Sequence, residues 1–160
     1  MEIRIGNGFD VHALKKGKEI TLCGVKLQHD YSLVGHSDAD VALHALTDAI
    51  FGALAEGDIG HWFPPSEKKW EGVNSEVFLK KSIEIMKERQ FYLSNIDLTL
   101  ICEKPKIKSY AFSMRTNLSE LCKLKLDRVS VKATTTETLG FTGRNEGIAC
   151  MASVLMQNDI

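Results

Sequence analysis

The chain has 160 residues, of which 44% are hydrophobic, and a formal net charge of −1. This size and composition suit a single domain with a full core, so we expect one domain over residues 1–160. Near-neutral charge and scattered lysines argue against nucleic-acid binding, and no apolar run reaches the roughly 18 residues that span a bilayer. We therefore expect a cytoplasmic protein, or one from an organelle stroma if a transit peptide was removed.

The first predicted element is a strand from Ile3 to Val11 that carries Gly6 and Gly8. Glycines inside a strand indicate that another backbone or a ligand comes close. At the end of the strand, Asp10 and His12 stand two residues apart, so in an extended chain both side chains point to one face. A carboxylate and an imidazole aimed at one point form a candidate metal pair, although this motif alone is weak.

The next segments lead to a helix. Glu19 to Leu27 predicts an edge hairpin strand packed against the first strand, with a bulge or turn at Gly24. Residues 31–37 are predicted to be a loop. At its end, His36 and Ser37 offer a hydroxyl and free backbone N–H groups, which suit a bound anion such as phosphate.

A long helix is predicted to begin near Asp38, with Ser37 as N-cap and Gly57 as its C-terminal cap. Most of its circumference is apolar, which predicts burial. One narrow strip is polar, and it must face a polar pocket or a metal because an unpaired buried charge costs several kcal/mol, as a rough estimate. The strip consists of Asp40, His44 and Asp48.

Two interpretations of His44 remain open. It could be a hydrogen-bonded core histidine flanked by two solvated acids. It could instead join Asp10 and His12 in a set of two histidines and one aspartate, which suits Zn²⁺ with a fourth position open to water or substrate. In that case Asp48 is a candidate for orienting the imidazole of His44.

The second half of the chain contains mostly scaffold elements. We predict a flexible loop over 61–70, a helix from Asn74 or Ser75 to about Arg89, and a helix from Ser109 to about Lys123 with Phe112 inward. The predicted strands are Ile96–Cys102, Arg128–Ala133 and Ile148–Met156.

Two polar loops follow predicted strands. Cys102–Lys108 places three lysines around a proline, and Thr134–Glu137 places an acid after three consecutive hydroxyls. Glycines and Arg144 come next. Such groups are suited to phosphoryl oxygens, although solvated turns remain the simpler interpretation of both loops.

Three stretches, GFDVH, GHSDADVALHALTDAIFGALAEGDIGHWFP and VKATTTETLGFTGRNEGIAC, together resemble the 2-C-methyl-D-erythritol 2,4-cyclodiphosphate synthase family of the non-mevalonate isoprenoid pathway. The resemblance implies an α+β fold with a mixed β-sheet, helices packed on one face, and a homotrimer with intersubunit active sites. It also implies conversion of 4-diphosphocytidyl-2-C-methyl-D-erythritol 2-phosphate into the cyclic diphosphate and CMP by metal-assisted intramolecular phosphoryl transfer. The partners would be this small-molecule substrate and two further copies of the chain, with no nucleic acid and no membrane.

The resemblance also implies roles for individual residues. It makes Asp10, His12 and His44 ligands of Zn²⁺, Glu137 a ligand of a second cation (Mg²⁺ or Mn²⁺) held with the substrate diphosphate, and His36 and Thr135 catalytic residues. The methylerythritol phosphate side would be bound by His36, Ser37, Asp58, Ile59, Gly60, Phe63, Pro64, Pro65, Ser66 and Glu67. The cytidine and diphosphate side would be bound by Cys102, Glu103, Lys104, Pro105, Lys106, Ile107, Lys108, Thr134, Thr135, Thr136, Glu137, Phe141 and Arg144.

Two other functions can be built from the same residues. A zinc-dependent phosphodiester hydrolase acting on a cytidine nucleotide would use the same three ligands to activate water. A trimeric metal-binding module without catalysis would keep those ligands but would need neither the lysine-rich loop nor the threonine-rich loop.

Overall fold

A five-stranded mixed sheet forms the centre of the fold, and the computed structural model describes residues 1–159. The strands are β1 (Ile3–Lys16), β2 (Glu19–Leu22), β3 (Val25–Gln28), β4 (Tyr31–Leu33), β5 (Tyr92–Ile101), β6 (Val129–Thr134) and β7 (Gly147–Gln157). The helices are α1 (Val41–Leu54), α2 (Ile59–Trp62), α3 (Glu76–Glu88), α4 (Ala111–Cys122) and α5 (Gly140–Gly143).

The main sheet has the order β4–β1–β7–β5–β6, in which β5 and β6 are parallel and the other neighbours antiparallel. Helix α1 packs on β1 and β7, α4 packs on β6, and α3 packs on α1. The predicted α+β fold, with a mixed sheet and helices on one face, is confirmed. Within residues 1–159, every helix is too short or too polar to cross a bilayer.

The contact between α1 and β1 depends on the two glycines of the first strand. A Cβ atom on Gly6 would lie 1.9 Å from the carbonyl oxygen of Ala49, and one on Gly8 would lie 1.9 Å from that of Ala45. No side chain fits there, so the predicted close approach is confirmed, and the approaching backbone is that of α1. The approach places the α1 residue His44 beside the β1 residue Asp10.

Helix α1 begins later than predicted, because its N-cap is Asp40 and not Ser37. The Asp40 carboxylate is completely buried and is surrounded by backbone N–H donors. The donors are Ala42 (3.1 Å), Leu43 (3.1 Å), Cys23 (3.0 Å) and Gly24 (2.6 Å). Burial raises the pKa of Asp40 to about 6, although these N–H groups oppose the rise, so the carboxylate remains mostly ionised at pH 7. Asp40 therefore joins the β2–β3 turn to α1 and is not part of a polar strip facing a metal.

Several other boundaries were predicted wrongly. Helix α1 ends at Leu54, with Ala55 in the left-handed conformation at φ 59°, and Gly57 lies beyond it. The β2–β3 hairpin forms its own two-stranded sheet instead of pairing with β1, while β4 pairs with β1 where a loop was predicted. In α4, Phe112 is 67% exposed and does not point inward.

Candidate metal centre and substrate cavity

Strand β1 and helix α1 bring Asp10, His12 and His44 together. Asp10 Oδ2 lies 2.9 Å from His12 Nε2 and 3.2 Å from His44 Nδ1, and the two ring nitrogens lie 3.0 Å apart. One potential ligand atom from each residue falls within 4.8 Å of the others. Residues separated by 34 positions thus converge because the glycines of β1 let α1 approach the strand.

The spacing of these atoms fits a tetrahedral metal ion. With zinc–ligand bonds of about 2.0–2.2 Å, tetrahedral ligand atoms lie roughly 3.3–3.6 Å apart, slightly more than the separations found here. Two imidazole nitrogens and one carboxylate oxygen are a donor set typical of zinc with an open fourth position. Asp10, His12 and His44 therefore fit the Zn²⁺ ion that the family resemblance implies.

Neighbouring groups set the protonation of His12. Its Nδ1 lies 2.7 Å from the carbonyl oxygen of Val34, which can only accept, so Nδ1 carries a proton and Nε2 faces the cluster. Burial lowers the pKa of His12, but the hydrogen bond and charge of Asp10 outweigh burial and raise it. Burial likewise raises the pKa of Asp10, but the neighbouring His12 and His44 rings outweigh burial and hold it well below the usual value. The carboxylate thus stays ionised and gives the centre a negative charge that attracts a cation.

His44 is nearly buried and uses both ring nitrogens. Nδ1 faces Asp10, while Nε2 lies 2.8 Å from Ser75 Oγ and 3.1 Å from Ser37 Oγ. Asp48 was predicted as the group that orients this ring, but its Oδ1 accepts the backbone N–H of Ile59 at 2.7 Å. The contact at Nε2 therefore comes from Ser75, for which the sequence predicted only a position at the start of a helix.

A cavity of about 420 Å³ opens beside His12 and His44. Among the predicted substrate residues, His36, Ser37, Ile59, Gly60, Phe63 and Pro65 line it. Asp58 lies next to it as the N-cap of α2, accepting the N–H of His61 at 2.8 Å. Pro64, Ser66 and Glu67 belong to the same segment but are not among the lining residues.

Aromatic side chains form one wall of this cavity. The ring centroid of Phe63 lies 4.9 Å from that of Trp70 and 4.6 Å from that of Phe78. The segment 61–70, predicted as a loop, is thus held by aromatic packing and includes the end of α2 and a short 3₁₀ turn, Lys68–Trp70. Sequence analysis missed Trp70 and Phe78 as cavity residues, because Trp70 falls in the predicted flexible loop and the apolar face of a helix does not indicate which of its rings borders a cavity.

The two predicted phosphate loops meet at another place, the carboxyl ends of the parallel strands β5 and β6. The backbone N–H of Cys102 donates to the carbonyl of Thr134 at 3.1 Å. The Glu103 carboxylate accepts the backbone N–H groups of Thr136 (3.2 Å) and Thr138 (3.3 Å). Topology therefore joins the lysine-rich and threonine-rich loops into one surface, and Glu103 is the side chain that connects them.

This second surface is exposed and does not line the cavity beside the histidines. Lys104, Pro105 and Lys106 border a separate opening of about 560 Å³, together with residues near Lys18 and His29. Glu137 is exposed and is held in the left-handed conformation (φ 54°), with its N–H donating to Thr135 Oγ1 at 3.3 Å. Phe141 is 40% exposed, and Arg144 is paired with Glu146. The predicted site residues thus form two separate groups in the chain.

Comparison with known proteins shows which family this chain belongs to. Residues 3–157 match the model of the YgbB family. The chain belongs to the YgbB family. It is 56% identical over 156 residues to the 2-C-methyl-D-erythritol 2,4-cyclodiphosphate synthase of Roseobacter denitrificans, an alignment that covers 98% of both chains. The family resemblance drawn from the sequence motifs is therefore confirmed.

Solved structures of similar proteins have the same fold. A bifunctional IspDF from Campylobacter jejuni superposes with a TM-score of 0.94 at 42% identity, covering 98% of this chain and 42% of that one. IspF of Plasmodium falciparum, solved as a CDP complex, gives a TM-score of 0.88 at 33% identity and covers 99% of this chain and 97% of that one. The fold thus occurs both alone and as part of a longer chain.

Proposed function

We propose that this chain converts 4-diphosphocytidyl-2-C-methyl-D-erythritol 2-phosphate into 2-C-methyl-D-erythritol 2,4-cyclodiphosphate and CMP in isoprenoid precursor biosynthesis. The observation that carries the proposal is the convergence of Asp10, His12 and His44 beside a cavity, in a chain 56% identical to a synthase of that name. The ligand of the Plasmodium falciparum relative, CDP, contains the cytidine diphosphate part of the substrate.

The reaction requires positioning more than proton transfer. The nucleophile is a substrate phosphate that is already anionic at pH 7, and CMP leaves as a stabilised anion. Zn²⁺ held by Asp10, His12 and His44 would neutralise phosphate charge, as would Mg²⁺ or Mn²⁺ at Glu137. The protein itself must bring two ends of one flexible substrate together and exclude water from the reacting phosphates.

Different parts of the chain divide this work. His36 and Ser37, at the mouth of the cavity, would hold the methylerythritol phosphate end, against the apolar wall around Phe63. Thr135 would donate its hydroxyl to the cytidyl phosphate, and the exposed Lys104 and Lys106 would balance the charge of the diphosphate.

We further propose that the active enzyme is a homotrimer in which each site joins the histidine cavity of one subunit to the Thr134–Glu137 surface of its neighbour. One support is that these two regions open separately within a subunit. A second is the sheet face opposite the helices, which leaves large apolar side chains exposed, as expected for a face that another copy covers. They are Ile3 (54% exposed), Ile5 (71%), Phe9 (57%) and Met151 (55%).

Product analysis tests the activity. Purified protein with Zn²⁺ and Mg²⁺ should convert the substrate to equimolar CMP and cyclic diphosphate, identified by ³¹P NMR and mass spectrometry. A phosphodiester hydrolase would instead yield linear phosphates containing an added water. A metal-binding module without catalysis would show neither product and no saturable binding of CDP by calorimetry.

A further inference from the structure

A second group of residues lies at the edge of the His44 ring that points away from Asp10. Ser75 is completely buried, and its hydroxyl lies 2.8 Å from His44 Nε2. The same hydroxyl donates a hydrogen bond to Asp38 Oδ1. The three side chains thus form a continuous line from a half-buried carboxylate, through one hydroxyl, to the imidazole.

The direction of these hydrogen bonds determines which nitrogen of His44 is protonated. A serine hydroxyl has one proton, and here that proton is directed to the Asp38 carboxylate, which can only accept. Towards His44, Ser75 must therefore act as acceptor, so Nε2 carries the proton. Nδ1, which faces Asp10 and His12, is then left with its lone pair available for a cation.

Asp38 and Ser75 are needed to set the tautomer of His44, because Asp10 alone favours a proton on Nδ1. Its carboxylate lies 3.2 Å from His44 Nδ1 and would attract a proton onto that nitrogen. A proton on Nδ1 would block metal binding. Asp38 and Ser75 counteract this from the other side of the ring.

Capping of a helix does not explain the position of the Ser75 hydroxyl. It occupies the N-cap position of α3, but its side chain makes no capping hydrogen bond there. Ser37 also lies near Nε2, at 3.1 Å, but its hydroxyl is farther from the ring than that of Ser75. It accepts the N–H of Ala39 and lies 3.2 Å from Ser75 Oγ, to which it can donate its own proton.

We infer that Ser75 and Asp38 are positioning residues that fix the Nε2–H tautomer and the orientation of His44, so that Nδ1 is ready to bind zinc. This inference rests on the proposed metal role of His44. It goes beyond that role by assigning to Ser75 and Asp38, which need not touch substrate or metal, a measurable share of the zinc affinity.

The test compares zinc affinity, measured by competition with a chromophoric chelator, in the wild-type protein, Ser75→Ala and the control Ser82→Ala. Ser82 is equally buried in α3, but its hydroxyl donates to the carbonyl of Leu79 and is not linked to His44. We expect Ser75→Ala to lose about 10–100-fold in affinity, as for other residues that orient metal-bound histidines. Ser82→Ala should bind zinc as the wild type does.

A second pair of variants tests the direction of the hydrogen bonds without altering the buried serine. Asp38→Asn keeps an oxygen that accepts from Ser75 and should retain most of the affinity. Asp38→Ala leaves the Ser75 hydroxyl free to donate to Nε2, which favours a proton on Nδ1, so the affinity should fall. The visible absorption spectrum of the Co²⁺-substituted proteins should change in Ser75→Ala and Asp38→Ala only.

The outcomes separate this inference from the proposed function. If the wild-type protein does not bind zinc, the metal site itself is wrong, and this inference fails with it. If the wild type binds zinc but Ser75→Ala matches Ser82→Ala, the metal site stands and the positioning role is overturned. Equal affinities for Asp38→Ala and Asp38→Asn would overturn the proposed hydrogen-bond direction.

Discussion

The two regions that carry the candidate chemistry differ in how firmly the rest of the chain holds them in place. Around Asp10, His12 and His44, the imidazole rings are held by hydrogen bonds to Val34 and Ser75, and α1 lies directly on β1. The Thr134–Glu137 segment is half-buried to exposed, and its contacts include the Glu103 carboxylate and the hydroxyl of Thr142.

The difference matches what each region is proposed to bind. A small cation needs ligand atoms fixed to within a few tenths of an ångström, so its residues lie on a strand and a buried helix. A nucleotide diphosphate is large and flexible, so a loop at the ends of β5 and β6 can meet it from an exposed position. The first region is built from residues of one chain, while the second lies open on the surface of that chain.

The largest expected effect comes from removing one ligand of the proposed metal site. His44→Ala should lose tightly bound zinc and, since a metal ion supplies several kcal/mol of charge stabilisation, roughly 10³-fold in kcat/KM. Metal analysis and steady-state kinetics measure both effects. His61→Ala, which changes an exposed histidine outside the cavity, is the control. Full zinc content and normal turnover in His44→Ala would remove this residue from the metal site.

The next prediction concerns the contact that assembles the ordered region. In Gly8→Ala, the added methyl would meet the carbonyl oxygen of Ala45 at 1.9 Å, so α1 must move away from β1. We expect about 3 kcal/mol of lost stability, in the range of overpacked cores, together with weaker zinc binding. Urea unfolding of the metal-free protein measures the first effect.

Gly52→Ala provides the matched control for that substitution. Gly52 lies in α1, and its added methyl would find only an ordinary contact, 3.7 Å from the carbonyl of Asn7. Alanine is favoured over glycine in helices, so stability should stay the same or rise by up to about 1 kcal/mol. Equal losses in both variants would show that the close approach at Gly8 does not set the geometry.

In the exposed region, a single side chain should matter for turnover but not for zinc. Glu137→Gln should keep zinc and lose roughly 10–100-fold in kcat, because an amide binds Mg²⁺ or Mn²⁺ less well than a carboxylate. Titration of turnover with Mg²⁺ checks this, with the exposed Glu120→Gln on α4 as control. An unaltered Mg²⁺ requirement in Glu137→Gln would argue against this role.

The smallest expected effect comes from mixing two variants, each of which is defective in only one of the two regions. Asp10→Ala and Thr135→Ala subunits, each nearly inactive alone, should recover activity after refolding together. With random mixing into trimers, roughly a quarter of the sites would pair two intact halves, so we expect about that fraction of wild-type turnover. Mass spectrometry confirms exchange. Proven exchange without any recovery would mean that each site is built within one chain.

Sequence reasoning succeeded where a local pattern has one structural meaning. Alternation placed Asp10 and His12 on one face of β1, and the glycines of that strand correctly predicted a close backbone. Apolar periodicity predicted burial of α1. The long, collinear sequence motifs indicated the family that the match to the YgbB model confirms.

What the sequence could not decide were contacts made across large separations in the chain. Ser37 and Asp40 are both residue types that cap helices well. Asp40 is the N-cap of α1 because the N–H groups of Cys23 and Gly24, which are distant in the sequence, also bind its carboxylate. Likewise, Asp48 is one helical turn from His44, yet Ser75, 31 residues away, contacts the ring. Periodicity along one element indicates which residues share a face, whereas only the packing of α3 and the β2–β3 turn against α1 determines which polar groups meet there.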